Sequence, residues 1–328
     1  MSVVHFLNVG HGDCTVIEHD SGRVTVIDLN NCESLDETTE SEIVKGMSIR
    51  EVAAFIASRQ FGLSDRVALE KAGYSIPLTN PVEFLAKRLG GKSIFRYVQT
   101  HPDMDHMRGL SIVRNQFEIV NFWDTKNTKK LDSFTSDSDR DDWKAYKALG
   151  SGSYPTVLRL YRGATGVYFT EGKIAGDLGD GLHVLSPTKV LLSDADDAGN
   201  WNRMSYVIML IEHGKRIVLG ADADPETWAD IFEAYGKNLK CDVLKAAHHG
   251  RESGYHEDAV KAMAPGLTVV SVGKKPDQDA SDSYRLHSNH VWSTRWKGDV
   301  TVRISSDGTM TAESRCDNKP LTWKQAAA

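Results

Sequence analysis

The chain has 328 residues, 40% of them apolar and 26% charged, with a net charge of −6. That balance is ordinary for a soluble globular protein and excludes one that coats nucleic acid through bulk positive charge. No apolar run approaches the roughly 18 residues of a membrane helix, so no membrane insertion is expected. The opening residues show no basic stretch leading into an apolar core, so no secretory signal is read. Cys14, Cys32, Cys241 and Cys316 stand without a CxxC pair, which fits reduced thiols in a cytoplasmic protein.

In chain order, Val3–Val9 alternates as a strand, Gly10-His-Gly-Asp13 turns, and Cys14–His19 resumes. Ser21-Gly22 makes a hairpin into Val24–Asp28. Polar residues from Glu33 to Glu42 precede a helical pattern from Ile43 through Phe61. A helix over 81–90 starts at Asn80-Pro81, a cap followed by a first-turn proline, and stops at Gly90-Gly91. Phe95–Thr100 is a short strand. Residues 124–150 are charged around Asp137-Ser-Asp-Arg-Asp-Asp142 and predict a solvated surface insertion.

Strand patterns return at Leu182–Leu185, Ser205–Glu212 and Arg216–Leu219, with a turn at His213-Gly214. Asp224 and Pro225 cap and open a helix to Tyr235. Strands at Val243–Ala247 and Thr268–Val272 flank a helix around Asp258–Met263. Val300–Ile304 and Thr309–Glu313 form one hairpin around Asp307-Gly308, and residues 324–328 are a tail. No glycine-rich phosphate loop opens the first helix. The order predicts an α/β fold in which two mixed sheets pack together with helices outside, rather than one doubly wound sheet.

The densest chemistry lies in Thr100-His-Pro-Asp-Met-Asp-His-Met-Arg-Gly-Leu110, where four potential ligands (His101, Asp103, Asp105, His106) fall within six residues at a strand end. Imidazole nitrogen and carboxylate oxygen suit zinc, manganese or iron. Asp222 ends the apolar strand Arg216-Ile-Val-Leu-Gly-Ala-Asp222, and Asp224 already fills the adjacent helix cap. Leu244-Lys-Ala-Ala-His-His-Gly250 places two more histidines after a strand.

These motifs resemble the metallo-β-lactamase superfamily, and most of all the C-terminal hydrolase domain of the competence protein ComEC and its free-standing relatives. Asn8-Val-Gly-His-Gly-Asp13 resembles that group's opening, where glutamine often replaces His11. Val26-Ile-Asp28 resembles its buried bracing aspartate, and His101-Pro-Asp-Met-Asp-His106 its HxDxDH motif. Asn202-Arg-Met-Ser205, Leu219-Gly-Ala-Asp222 and Leu244-Lys-Ala-Ala-His-His-Gly250 resemble its later motifs in order. The resemblance implies an αββα sandwich, two mixed sheets with outer helices. It implies one domain over 1–323, with insertions near 33–80 and 124–150.

The resemblance also implies roles. Two divalent ions, Zn or Mn, would be held by His101 and Asp103, by Asp105, His106 and His248 (alternatively His249), and by Asp222 between them. Asp13, Asp28, Asn202 and Ser205 would support them. The wider superfamily supplies a further histidine before the bridging aspartate. Here only His183 and His213 fall in that interval, and neither is expected to be a ligand. A bridging hydroxide would attack, with Asp105 orienting it, and His287 would protonate the leaving group or hold a phosphate.

The leading expectation is a nuclease or phosphodiesterase acting on nucleic acid or another phosphodiester, beside a possible protein partner. Lys245, Arg251, Lys274 and Lys275 are candidate phosphate contacts. The alternatives are a small-molecule ester, thioester or lactam hydrolase, and a low-activity binding or regulatory module on the same fold.

Overall fold

The computed structural model describes residues 1–35, 37–171, 179–273 and 278–323. Lys274, Lys275 and the tail over 324–328 lie outside the described residues. The strands are β1 (Ser2–Phe6), β2 (Thr15–Glu18), β3 (Val24–Ile27), β4 (Leu29–Asn30), β5 (Ile94–Val98), β6 (Met107–Arg108), β7 (Ile119–Trp123), β8 (Thr156–Leu158) and β9 (Leu182–Ser186). They continue with β10 (Val207–Glu212), β11 (Lys215–Leu219), β12 (Val243–Lys245), β13 (Leu267–Val270), β14 (His290–Ser293), β15 (Val300–Ile304), β16 (Met310–Ser314) and β17 (Asp317–Trp323).

Two main sheets result. The first has nine strands in the order β17-β16-β15-β1-β2-β3-β5-β7-β8, and the second has six in the order β14-β13-β12-β11-β10-β9. Both are mixed. In the first, β3, β5, β7 and β8 run parallel while the strands on the other side pair antiparallel. In the second, β11 to β14 run parallel and the β9-β10-β11 meander is antiparallel.

The sheets pack face to face. Val4, Phe6, Ile17, Val98 and Trp123 of the first meet Val184, Ile208, Leu210, Ile217, Leu219 and Val269 of the second, all buried. The outer face of the first sheet is covered by helices Pro81–Leu89, Leu110–Gln116 and Asp137–Ser151. That of the second is covered by Pro225–Tyr235, Glu257–Met263 and Ser281–Arg285. Four layers therefore cover both faces of the central parallel strands, which explains why Val24–Ile27 and Leu267–Val270 are buried at every position.

Three departures from the sequence reading have local causes. The single helical pattern over 43–61 is two helices, Glu37–Lys45 and Ile49–Gln60, because Ser48 starts a new helix with a reciprocal Ser48/Glu51 capping box. The charged insertion is only partly solvated. Trp143, Tyr146 and Leu149 of helix Asp137–Ser151 are buried in the core outside the first sheet, and Asp142 accepts from the amides of Gly109 and Ser111 at 2.8 Å each. Residues 317–323 extend the terminal hairpin into a third strand.

Polar groups are buried as well. Arg96, on β5, donates to Thr25 Oγ1 at 2.7 Å and to Asp180 Oδ2 at 3.1 Å, and Asp180 also accepts from Arg23 and Ser21. Asp180 is buried and removing it strands a buried guanidinium, which typically costs about 3–5 kcal/mol. Asp180→Ala is therefore expected to lower the urea unfolding free energy by about that much. Asp141→Ala, which breaks an exposed pair with Lys144, should cost under about 1 kcal/mol. Equal effects of the two would contradict this account.

Candidate metal centre

Ligand-bearing residues at the carboxyl ends of parallel strands from both sheets converge, at the strand ends where open α/β sheets place their ligands. Asp28 follows β3, Thr100 and His101 follow β5, Asp222 follows β11, His248 and His249 follow β12, and Ser271 follows β13. The backbone is unusual here. Asp28, Ala221, His248 and His249 adopt φ of 56°, 45°, 47° and 54°. Non-glycine residues in that left-handed region are uncommon and concentrate at functional sites. Hydrogen bonds hold them: the His248 amide donates to Ala221 O at 2.9 Å and the Asp28 amide to Val98 O at 2.9 Å. Gly12 has φ 144° and a Cβ there would lie 2.5 Å from Asp105 O, so the first turn needs glycine to meet the 101–106 loop.

Asp28 braces that loop. Its Oδ1 accepts from the Thr100 amide at 2.8 Å, and its Oδ2 from Thr100 Oγ1 at 2.7 Å and from His106 Nδ1 at 2.8 Å. The Thr100 hydroxyl proton is thus committed to Asp28, so the contact of 3.0 Å between Thr100 Oγ1 and His101 Nδ1 has the histidine donating. His249 Nδ1 donates to Ser271 O at 3.0 Å. Each of the three rings therefore carries a proton on Nδ1 and turns Nε2 inward. His101 Nε2, His106 Nε2, His249 Nε2 and Asp222 Oδ1 are all buried without a hydrogen-bond partner.

These atoms converge. His101, His106 and Asp222 offer ligand atoms within 4.8 Å of one another, as do His11, Asp105 and His249, and Asp13, Asp222 and His249. His106 Nε2 lies 3.3 Å from Asp222 Oδ1, and His249 Nε2 lies 3.2 Å from Asp105 Oδ2 and 3.5 Å from Asp222 Oδ2. Burial alone pushes the His106 ring down, but Asp222, Asp28 and Asp105 outweigh it and hold it well above the usual range. The His249 ring is raised against burial by Asp222 and Asp105. Burial would raise Asp222, yet His249 and His106 hold it well below the usual carboxylate range. The field at this point favours positive charge. Orphaned inward nitrogens, an orphaned carboxylate oxygen and that field fit a divalent cation, and the N/O donor set suits Zn or Mn.

Other predicted residues fall differently. Asp103 belongs to none of these groups. Its Oδ1 pairs with Lys129 Nζ, and its Oδ2 lies 3.8 Å from His101 Nε2. His248 is half-buried, its Nε2 accepts from Asn202 Nδ2 at 3.4 Å, and it lies 3.9 Å from Asp222, farther than His249. Ser205 is buried beneath Asn202, to whose carbonyl its amide donates. His287 sits 3.9 Å from Glu257, and its amide donates to Tyr284. His183 is on β9 opposite Met209, and His213 is in a turn beside Asp20.

Lys245 is not an exposed phosphate contact. It is buried in an ion pair with Asp13, because β12 is covered on both faces. Arg251 Nη2 reaches His11 Nε2 at 3.4 Å. Three participants were not singled out from sequence. They are His11, Lys129, and Gln99, whose side-chain amide donates to the carbonyls of His101 and His106 at 2.8 and 3.1 Å. A histidine between two glycines in the first turn was a signal for His11. A glutamine ending an apolar strand was a weaker signal for Gln99.

No family model matches the chain. ComE operon protein 3 of Bacillus subtilis (strain 168) is 27% identical over 249 residues, covering 74% of this chain and 28% of that protein. Competence protein ComA of Neisseria gonorrhoeae is 24% identical over 208 residues, covering 60% of this chain and 29% of that protein. The match spans less than a third of the length of either relative. Among solved structures, the metallo-beta-lactamase fold protein YhfI from Bacillus subtilis has a TM-score of 0.41 at 8% identity, covering 89% of this chain and 95% of that one. Zn(2+)-bound PqqB from Methylobacterium extorquens has a TM-score of 0.40 at 12% identity, covering 93% and 100%. By sequence the chain is thus a distant relative of ComE operon protein 3 and competence protein ComA, with an α/β fold of two main mixed sheets and a buried His/Asp cluster.

Proposed function

We propose that this protein is a metal-dependent hydrolase acting on phosphodiesters, a nuclease or phosphodiesterase. One observation carries the reading. Three imidazole nitrogens, each buried and unbonded, are aimed inward by partners on their Nδ1 atoms, and they converge with a buried, unbonded oxygen of Asp222. His101, His106 and Asp222 would hold one ion. His11, Asp105 and His249 would hold a second, with Asp222 near both. His249 is preferred to His248, whose Nε2 is engaged by Asn202 and lies farther from Asp222.

When bound, such ions polarise a scissile phosphoryl group and lower the pKa of water. The chain's own residues do the rest. Asp28 and the Ser271 carbonyl fix the tautomers of His106 and His249. Asp105, partly exposed beside His249, is placed to orient the attacking water and accept its proton. Lys129, drawn to Asp103, puts a cation beside the cluster, where an anionic substrate would lie. The resemblance to ComEC-type hydrolase domains supports the phosphodiester.

Titration of metal-stripped protein with Zn²⁺ or Mn²⁺ is expected to show tight binding that Asp28→Asn weakens about 10–100-fold. Unchanged affinity in that variant would remove Asp28 as the brace. Metal at about 100 times Kd should raise the unfolding free energy by about 2.7 kcal/mol. An unfolding midpoint indifferent to metal and chelator would sink the metal centre.

With metal, the parent is expected to cleave bis(p-nitrophenyl) phosphate and oligonucleotides, and Asp105→Ala to lose roughly 100-fold or more of that rate. Cleavage of esters or lactams alone would move the reading to a small-molecule hydrolase. Bound metal without any cleavage would leave a regulatory module.

A further inference from the structure

Near the proposed metal loop lies a cavity of about 280 Å³ that no part of the proposed reaction uses. It is built where the insertion after β7 folds back on helix Asp137–Ser151. Its floor is polar and self-satisfied: Tyr146 donates to Asp124 Oδ1 at 2.8 Å, and Asn127 Nδ2 donates to Tyr146 Oη at 2.6 Å. Its rim carries the exposed cations Lys126, Lys147 and Arg159. Among the described residues none of the three is within ion-pair distance of a carboxylate. Three cations therefore face one buried carboxylate, in a chain whose net charge is −6.

The cavity is also tied to the centre. Lys147 Nζ donates to the Lys129 carbonyl at 3.3 Å, and the Lys129 ammonium pairs with Asp103 of the metal loop. One lysine's length therefore separates the rim from that loop. We propose that this cavity is a phosphate-docking site for a nucleic-acid strand, holding a backbone phosphate away from the one being cleaved. The cations would neutralise backbone charge without reading sequence. Binding would track the strand through Lys129 to the metal centre. The proposal rests on the nucleic-acid reading above, but its test does not require turnover.

The test is fluorescence anisotropy of a labelled single-stranded oligonucleotide across a salt series, using the full chain loaded with Zn²⁺. The combined Lys126→Ala, Lys147→Ala, Arg159→Ala variant is expected to weaken binding at least 10-fold. Its log–log salt slope should shrink by about 0.7 for each phosphate that the rim no longer neutralises. A control variant, Lys237→Ala with Lys240→Ala on the exposed turn before β12, should bind like the parent. The substituted side chains are exposed, and circular dichroism and the urea midpoint check that each variant is folded. Parent affinity and slope in the triple variant would overturn the proposal, as would a parent that binds no strand. If the parent cleaves bis(p-nitrophenyl) phosphate yet the triple variant binds DNA normally, the docking site fails while the phosphodiesterase reading stands. If the parent binds DNA through the rim but cleaves no diester, the reverse holds.

Discussion

The carboxylate of Asp28 is the interaction on which the centre depends. It leaves β3 in a left-handed conformation, spans to the end of β5, and accepts three hydrogen bonds there. Through Thr100 it orders the ring of His101, and directly it orders the ring of His106. Aspartate is among the few side chains that tolerate this backbone region at modest cost. Two inward nitrogens are thus set by one residue 72 positions away from Thr100 along the chain, and neither needs to touch the other to be aligned.

Around that brace, charge is balanced in layers. Lys245 neutralises Asp13, Lys129 neutralises Asp103, and the carboxylates of Asp28 and Asp222 face imidazoles. Buried carboxylates without compensation are costly. The remaining excess of negative charge shows in the upward displacement of His106 and His249 and the downward displacement of Asp222. A divalent cation would relieve the same imbalance more completely than protons on two rings.

The insertion after β7 belongs to this arrangement. Its helix is anchored in the core by Trp143, Tyr146 and Leu149 and holds the start of helix Leu110–Gln116 through Asp142. That anchoring brings Lys129 to Asp103 in the 101–106 loop and sets Lys147 and Arg159 on a common rim. A segment rich in charge can thus be both a packed element and the source of a positive surface, because its apolar residues fall on one face of the helix.

Much was legible locally. Asn80-Pro81 and Asp224-Pro225 start helices where a cap and a first-turn proline predict them, and the strand patterns of both sheets were readable from apolar runs. The His101 to His106 cluster, Asp222 and the histidine pair announced themselves by spacing at strand ends. What spacing could not decide was orientation. Whether His248 or His249 faces Asp222 depends on two left-handed residues and on a carbonyl 22 positions onward. The burial of Lys245 depends on Asp13, 232 positions earlier. His11 joins Asp105 and His249 only because the first sheet packs against the second. Hydrogen-bonding capacity and helix signals are properties of short segments and are written in the residues. Which nitrogen points at which carboxylate is a property of two sheets meeting, and only packing supplies it.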